Sequence, residues 1–406
     1  MRRIERGELA SPAIVLDIDR ERKTVNGCRT LAVDEYRSAF SLLRSEGVPV
    51  AVSCWDVDGD AIIDAEWILR QEAEFVADYS LGLRPNPSEL TVAICTRERP
   101  DDLRRALSSL LVQSDQNFSV VIVDNAPTSS ATRAVVEELE LPRWKYVVEP
   151  EPGLSRARNR ALNFVQTEHV AWIDDDEVAD VDWVLRVKQG FNHESQPAAL
   201  AGLMLPAELE SEAQVRFEQY GGFNKGRGVE PEVLRAGTPS VFSPLYPLPG
   251  FGAGGNMAFR VDALSEIGGF DPYLGAGSRT KGGEDTRALA LLLLRGDTVL
   301  HWPPAVTWHY HRRGMDELER QLFGNLAGLS AFYASMIRSN PRVVVEIAKA
   351  VPHGVWDMLP QKDNLRSGHL PADFPKELLD AARRGFAAGG VLYVQEVWAG
   401  RPAKAR

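Results

Sequence analysis

The sequence predicts an α/β fold in which a mostly parallel sheet is flanked by helices, and three observations lead to this class. Apolar runs of strand length recur about every 25 residues between positions 90 and 173. Amphipathic helical patterns separate these runs. Polar or acidic residues directly follow several runs, and the carboxyl ends of strands in such a sheet are where ligands bind.

Composition limits the class of protein. A chain of 406 residues is long enough for two or three domains. A net charge of −11, without a cluster of Lys and Arg, argues against nucleic acid as a partner. Three cysteines without metal-site spacing indicate neither a disulfide framework nor a zinc site. We find no signal peptide and no apolar run of the ~20 residues that span a bilayer, so we expect a cytoplasmic protein and leave contact with a membrane surface open.

Three regions follow one another along the chain. Residues 1–88 read as a small accessory α/β domain, with strands at Ala13–Asp17 and Val48–Cys54 and a helix at Val33–Leu43 between them. The turn Pro85–Ser88 ends this region, because its two prolines cannot continue a helix or a central strand.

Residues 89–313 form the predicted central domain, where strands and helices alternate. The helix that opens at Pro100 has apolar residues at i, i+3, i+4, i+7 and i+8. A segment at 203–250 has no clear period and reads as a lid or binding loop. Residues 314–406 read as helices that form a dimer face, a lid or a membrane-facing surface. The predicted central strands are Leu90–Cys95, Phe118–Val123, Trp144–Val148 and Val170–Ile173, and the other helices are Ser130–Leu139, one after Gly153, and Asp182–Gln189.

Four consecutive carboxylates, Asp174 to Glu177, directly follow the strand that ends at Ile173. They repel one another, and a divalent cation with oxygen ligands would relieve that repulsion. A solvated acidic turn before the next helix explains the same residues without a ligand. Thr96 and Asp124 also lie just past strand ends on the same edge of the predicted sheet, which favours a site.

Six segments, taken in this order, resemble family 2 glycosyltransferases with a GT-A fold. They cover roughly residues 90–313, and each is weak alone. No Gln-x-x-Arg-Trp motif of processive synthases follows the Glu-Asp pair. The six are Val92–Pro100, Val123–Asn125, Gly153–Asn159, Asp174–Asp176, Gly268–Asp271 and Gly283–Asp285.

The resemblance implies an inverting, non-processive hexosyltransferase of cell-envelope biosynthesis. Its donor is a UDP-, GDP- or dTDP-linked sugar, its acceptor is a hydroxyl, and Mn²⁺ or Mg²⁺ is the cofactor. Such a cation stabilises the charge that develops on the departing diphosphate. A homodimer is also compatible with the C-terminal helices.

The resemblance also implies roles for individual residues. Asp285 is the expected catalytic base, and Glu284 beside it either takes that role or orients it. The metal ligands are Asp176, with help from Asp175, and His309. The expected donor-binding residues are Thr96, Arg97, Asp124, Asn125, Arg158, Asp174, Asp175, Gly255 and Asn256.

Each assignment has a structural alternative. Asp285 could cap the helix that follows it, and Asp124-Asn125 could form a plain turn. Glycine at Gly255 could serve a tight turn or let the backbone approach a sugar. His311 and the two arginines after it could be surface charge.

Two other classes of protein remain as hypotheses. A sugar-phosphate nucleotidyltransferase shares this type of core, but Thr96–Pro100 lacks the glycine-rich signature expected after its first strand. A non-catalytic sugar-nucleotide-binding module would have less need of an intact Asp cluster and Glu-Asp pair.

Overall fold

The computed structural model of the chain describes most of its residues. The predicted turn at Pro85–Ser88 lies outside the described part, so the domain boundary at residue 88 stays a prediction. The described ranges are 2–21, 24–25, 30–32, 35–57, 62–64, 68, 70, 89–139, 143–225, 227–237, 243–246, 252–349 and 370–400.

The N-terminal region contains a five-stranded sheet. Its strands are β1 (Arg2–Ile4), β2 (Ala13–Asp19), β3 (Thr24–Val25), β5 (Ser38–Ser45) and β6 (Val48–Asp56), and a separate pair joins β4 (Thr30–Ala32) to β7 (Ile62–Asp64). The order in the sheet is β1-β6-β5-β2-β3. The strands predicted near residues 13 and 48 are therefore confirmed.

The helix predicted at Val33–Leu43 is wrong. The chain instead enters β5, which pairs in parallel with β2 and antiparallel with β6. Seven of the eight β5 residues are buried, because the strand lies inside the sheet and is covered on both faces. The run from Ser38 to Ser45 mixes apolar and polar residues without a clear period, and here the pairing with two neighbouring strands decides its structure.

A nine-stranded sheet forms the centre of the molecule. Its strands are β8 (Leu90–Thr96), β9 (Phe118–Asn125), β10 (Trp144–Glu149), β11 (His169–Ile173), β12 (Glu177–Ala179), β13 (Ala199–Pro206), β14 (Glu232–Leu234), β15 (Asn256–Arg260) and β16 (Val299–His309). The order is β10-β9-β8-β11-β15-β13-β16-β12, with β14 also on β16. Strands β10, β9, β8 and β11 are parallel, whereas β15 reverses the direction.

Helices cover both faces of this sheet. They are α1 (Pro100–Leu111), α2 (Ala131–Leu139), α3 (Leu154–Leu162), α4 (Trp183–Phe191), α5 (Glu212–Gln219), α6 (Val261–Glu266), α7 (Glu284–Arg295), α8 (Met315–Ser339) and α9 (Lys376–Ala399). One core packs Leu107 of α1 and Trp183 of α4 against Ile94. The other packs α3 and α7 against Trp172 and Phe259. The predicted fold class, an α/β sheet flanked by helices, is confirmed.

The N-terminal sheet packs against the central one. Phe40 and Leu42 of β5 share a buried cluster with Leu205 and Val306. The buried guanidinium of Arg44 reaches across this contact and forms ion pairs of 2.6 Å with both Asp17 and Asp180. The two sheets are therefore joined by apolar burial and by charge.

The segment at 203–250 is more regular than its composition predicts. Strand β13 and helix α5 occupy its first part, and β14 lies further on. The Ser211 hydroxyl accepts a hydrogen bond from the Gln214 amide and caps α5. The prediction of an irregular segment is wrong for this part, because the burial of β13 within the sheet orders it.

The described part of the C-terminal region is mainly helical, as predicted. Leu318, Leu322 and Leu326 of α8 are buried, and α9 packs along α8 with Gly385 and Gly389 close to its backbone. Among the helices that the structure describes, none is both long and apolar enough to cross a membrane.

Candidate active site

The acidic run lies at the carboxyl end of β11, in the middle of the central sheet. All five residues of β11 are buried, and three of the four carboxylates after it are largely shielded from solvent. The side chains of Asp175 and Asp176 are 8% and 12% exposed, and Glu177 is 1% exposed. Asp174 is more open at 35%. The alternative of a solvated acidic turn is therefore wrong.

Asp175 is held by groups from the end of β8. The Thr96 hydroxyl donates a hydrogen bond to its Oδ2 at 2.7 Å, and Arg99 Nη1 lies 3.1 Å from its Oδ1. Burial and the neighbouring charge of Asp176 raise the pKa of Asp175 to about 7, although Arg99 partly offsets them. Asp175 therefore orders the loop rather than facing an open space.

Asp176 is surrounded by positive or basic groups. Its Oδ2 lies 3.1 Å from Arg99 Nη1 and 3.7 Å from Arg312 Nη2, and its Oδ1 lies 3.3 Å from His309 Nε2. Burial alone would raise the pKa of Asp176, but His309, Arg99 and Arg312 more than offset it and hold that pKa below its usual range. The side chain is thus a carboxylate at neutral pH.

Asp176 and His309 suit a divalent cation in spacing and chemistry. Their 3.3 Å separation is close to the roughly 3 Å between neighbouring ligands on an ion with bonds of 2.0–2.1 Å. In the described part of the chain, no group of three or more His, Cys, Asp or Glu side chains is placed to hold a metal. Magnesium commonly takes one or two protein ligands and completes its shell with phosphate and water. The pair fits a cation that is shared with a diphosphate.

His309 continues inward into a buried chain of hydrogen bonds. Its Nδ1 lies 2.8 Å from Nδ1 of His311, whose Nε2 lies 2.9 Å from Oε1 of Glu218. The prediction that His311 is surface charge is wrong: it is 4% exposed and packs edge-on against Phe217. Burial lowers the pKa of His311, whereas Arg6 and His311 overcome the opposing effect of burial and lower the pKa of Glu218.

Arg158 connects the acidic run to the head of α7. Its guanidinium is buried, with Nη1 2.9 Å from Glu284 Oε1 and Nη2 3.4 Å from Asp174 Oδ1. Nη2 also donates to the Gly254 carbonyl at 2.9 Å, and the group lies near the rings of Trp172 and Phe270. Arg158 therefore joins three separate segments at one point.

Glu284 and Asp285 point in different directions, as predicted. Glu284 is buried against Arg158, and burial together with the charge of Asp285 raises its pKa to about 7. Asp285 is only partly buried, and its Oδ1 accepts a 2.6 Å hydrogen bond from the Thr286 amide. Its Oδ2 lies on the Gly254 side, 3.1 Å from where a Cβ on that glycine would be. Asp285 thus has one oxygen that caps the helix and one directed to the site.

Asp124 lies at the end of β9 beneath a tyrosine. It is fully buried, and the Tyr146 hydroxyl donates a 2.7 Å hydrogen bond to its Oδ2. Burial raises the pKa of Asp124, although the bond from Tyr146 opposes this effect. Asp124 is therefore part of a built hydrogen-bonded pair rather than a plain turn.

Two predicted donor-binding residues have protein partners. Asn125 accepts from the Gly153 amide at 2.9 Å and donates to the Glu151 carbonyl at 2.7 Å, which holds the loop before α3. Asn256 accepts from Trp183 Nε1 at 3.0 Å and donates to two backbone carbonyls. Both asparagines therefore hold the segments around the site in place through hydrogen bonds within the protein.

Gly255 approaches carboxylates within the protein. A Cβ on Gly255 would lie 1.8 Å from Glu177 Oε1 and 2.9 Å from Asp174 Oδ2, so any larger residue would force these carboxylates to shift. Burial raises the pKa of Glu177 well above its usual range. Arg97, by contrast, is exposed just after β8.

A cavity of about 410 Å³ opens beside Asp176. Arg105 stacks over the ring of Tyr310 at 4.5 Å on its wall, and Arg312 and Arg313 also line it. The cavity therefore places three arginines and an aromatic face near Asp176, together with the carboxylates of Asp102, Glu208 and Glu317.

Five residues of the site were not predicted. Arg99 lies inside the recognised segment Val92–Pro100 and Glu177 directly follows Asp174–Asp176, so their positions alone could have suggested them. Tyr146 lies on a strand without a motif, and Glu218 lies 93 residues from its partner His311. The five are Arg99, Tyr146, Glu177, Glu218 and the misassigned His311.

Comparison with known proteins supports the family that the sequence motifs resemble. Residues 91–268 match the family model described as Glycosyl transferase family 2. The succinoglycan biosynthesis protein ExoM of Rhizobium meliloti is 34% identical over 109 residues, which are 25% of this chain and 35% of ExoM. The glucosyl-dolichyl phosphate glucuronosyltransferase of Haloferax volcanii is 22% identical over 198 residues, which are 46% of this chain and 57% of that relative.

Further similarities cover different shares of the chains. Glycosyltransferase GlyA of Streptococcus pneumoniae is 29% identical over 142 residues, which are 35% of this chain and 18% of GlyA. Each of these relatives is matched over less than two thirds of its length. A solved structure of the mannosyltransferase PcManGT from Pyrobaculum calidifontis, in complex with GDP-Man and Mn²⁺, aligns with a TM-score of 0.49 and 18% identity over 83% of this chain and 95% of that one.

The segment 91–268 belongs to glycosyl transferase family 2. The resemblance drawn from the sequence motifs is thereby confirmed. Asp285 and His309 lie beyond the matched segment, so their roles are argued from geometry.

Proposed function

We propose that this protein is an inverting, metal-dependent and non-processive glycosyltransferase that moves a sugar from a nucleotide-diphosphate donor to an acceptor hydroxyl. The observation that carries the proposal is the position of Arg158, which contacts both Asp174 and Glu284. Through it, the acidic run beside the Asp176–His309 pair and the head of α7 with Asp285 border one site.

The donor side is formed by the ends of the parallel strands. Asp124, paired with Tyr146, would contact the nucleoside, and Asp174 with its exposed edge would lie near the ribose. Asp176 and His309 would hold Mn²⁺ or Mg²⁺, which when bound supplies Lewis-acid stabilisation of the departing diphosphate. Arg99 and Arg312 flank Asp176 and would add positive charge for the phosphate oxygens.

The acceptor side begins at α7. Asp285 Oδ2 would take the proton of the attacking hydroxyl, while its Oδ1 stays bonded to the Thr286 amide and fixes the side chain. Glu284 is buried against Arg158 and is better placed to orient the site than to meet an acceptor. One base and one displacement from the face opposite the leaving group would invert the anomeric carbon.

The names of two relatives suggest the type of acceptor. ExoM is named for succinoglycan biosynthesis, and the Haloferax enzyme is named for a dolichyl phosphate-linked substrate. We therefore propose a saccharide or lipid-linked saccharide of the cell envelope as acceptor. The donor nucleotide is left among UDP, GDP and dTDP.

A two-part experiment tests the proposal. Thermal unfolding is followed with UDP-, GDP- and dTDP-sugars, with and without Mn²⁺, because a ligand of the folded state raises the midpoint. We expect one nucleotide class to stabilise the protein, and to do so mainly with metal. The stabilising donor is then incubated with envelope saccharides, and release of nucleoside diphosphate is measured. In a parallel assay, release of pyrophosphate from a nucleoside triphosphate and a sugar 1-phosphate would indicate a nucleotidyltransferase instead, and full transferase turnover in EDTA would contradict the metal role.

A further inference from the structure

A buried chain of hydrogen bonds lies behind His309. It runs from His309 through His311 to Glu218 on helix α5. All three side chains are at most 8% exposed. A buried polar chain of this kind has defined donors and acceptors, so the position of each hydrogen can be worked out.

The hydrogen positions follow from the Glu218 end. A carboxylate only accepts, so the hydrogen between Glu218 Oε1 and His311 Nε2 belongs to the histidine. A neutral imidazole with hydrogen on Nε2 has a lone pair on Nδ1. His311 Nδ1 therefore accepts, and His309 Nδ1 donates across the 2.8 Å contact.

The same reasoning fixes the other face of His309. When Nδ1 of a neutral imidazole carries the hydrogen, Nε2 has the lone pair. In the neutral ring this nitrogen would face Asp176 Oδ1 at 3.3 Å as one electron-rich atom against another. The contact therefore needs a positive charge between the two atoms: a proton on Nε2 when no metal is bound, in agreement with the effect of His309 on the pKa of Asp176, or a metal ion that replaces this proton.

We propose that Glu218 and His311 are positioning residues that hold His309 in the Nδ1–H tautomer, so that its Nε2 and Asp176 together bind the divalent cation. The inference rests on the cation site of the proposed function. It adds that Glu218 on α5, which is distant from β16 in the sequence, influences how strongly His309 binds the cation.

The N-terminal region supports this chain of bonds. Arg6 Nε lies 3.6 Å from Glu218 Oε2, and Arg6 Nη1 donates to the Gly221 carbonyl at 3.2 Å. Gln219, next to Glu218, donates to the Leu9 carbonyl at 2.7 Å. Arg6 thus provides the counter-charge for Glu218. Through Glu218 and His311 it connects the N-terminal segment to His309, one of the two proposed cation ligands.

The first test reads the tautomer directly. Metal-free protein is labelled with ¹⁵N-histidine, and long-range ¹H–¹⁵N spectra distinguish a protonated from a bare ring nitrogen. The chain has seven histidines, and His309→Asn identifies the signal. We expect a hydrogen on Nδ1 of His309 in the wild type, donated to His311. A bare Nδ1 on His309 would overturn the proposal.

The second test measures Mn²⁺ binding by calorimetry in the presence of the stabilising nucleoside diphosphate. Glu218→Met removes the acceptor, and we expect affinity about 10- to 100-fold weaker. Glu218→Gln keeps a carbonyl acceptor and should recover much of the loss. His301→Gln is the matched control, because His301 is also buried on β16 but bonds the Gly228 carbonyl.

The outcomes separate the two proposals. If Glu218→Met binds Mn²⁺ as tightly as the wild type, the positioning role is overturned. If Asp176→Asn fails to bind Mn²⁺ in the same experiment, the proposed cation site is still supported. Absence of Mn²⁺ binding in the folded wild type would overturn both. If Glu218→Met fails to fold, His311→Phe tests the same link, since the ring is packed among phenylalanines.

Discussion

Arg158 Nη1 donates a hydrogen bond to Glu284 Oε1 over 2.9 Å, and the arginine side chain is only 1% exposed. A guanidinium in such a place is stable only while its carboxylate partners remain. The pair therefore couples α3 to the head of α7, where the proposed base lies.

Replacing this arginine tests the coupling. Arg158→Met leaves Glu284 buried without its ion-pair partner, and we expect the free energy of unfolding to fall by about 3–5 kcal/mol. Adding Glu284→Leu should restore part of that stability, because no unpaired carboxylate then remains. Urea denaturation of the single and double variants measures both effects. Equal stability of Arg158→Met and wild type would contradict the coupling.

Asp285→Asn tests the proposed base. We expect turnover to fall by at least about 100-fold, the lower range of general-base contributions, while donor affinity stays within a few-fold. Asp262→Asn is the matched control, because Asp262 also lies in the first turn of a helix and accepts from the following amide. Steady-state kinetics and donor titration separate the two effects. Normal turnover in Asp285→Asn would assign the base elsewhere.

Glu284 predicts a pH dependence of stability. Its pKa rises from 4.5 to about 7 on folding, so the folded chain holds the proton more tightly than the unfolded chain. The resulting stability is present below pH 4.5 and is lost as the pH rises through about 7. Asp175, with a pKa of about 7, acts in the same direction.

Glu284→Gln removes its share of this effect. The share is on the order of 3 kcal/mol, so the fall in urea midpoint between pH 5 and pH 8 should be smaller in the variant. Glu266→Gln, at an exposed carboxylate, should follow the wild type. Parallel curves for wild type and Glu284→Gln would show that Glu284 does not titrate in this range.

Gly255→Ala tests the close approach of backbone to carboxylates. Its Cβ would meet Glu177 Oε1 at 1.8 Å, and we expect a loss of about 1–3 kcal/mol in stability and weaker binding of nucleotide with metal. Gly228→Ala is the control, since the nearest atom to its Cβ would be 3.8 Å away. Adding Glu177→Ala should relieve the clash and recover stability. Wild-type stability in Gly255→Ala would mean that the carboxylates move freely.

Local patterns predicted the edge of the sheet well. The strand ends at Thr96, Asp124 and Asp174 were found because apolar runs stop there and the strands are parallel. The helix predicted at Val33–Leu43 failed because a short run without a clear period suits either structure until its neighbours are known. Partners far apart in sequence, such as Glu218 and His311, leave no local signal.

The buried polar residues also show that partners distant in the sequence cannot be predicted from local patterns. Asn125 and Asn256 lie in the segments expected to bind the donor, but their side-chain amides are hydrogen-bonded within the protein. The sequence alone does not indicate these partners. His311 reads as one of a run of basic residues, and only the packing of Phe217 and Phe223 around it makes it a buried group.

The central claim is that Asp176, with His309, binds the cation that neutralises the donor diphosphate. Calorimetric titration of Mn²⁺ into the nucleotide-saturated protein tests it most directly, with Asp176→Asn beside the wild type and Asp297→Asn as an acidic control. We expect one Mn²⁺ site in the wild type and the control, and at least about a tenfold loss of affinity in Asp176→Asn. Equal Mn²⁺ affinity in Asp176→Asn and wild type would contradict the claim.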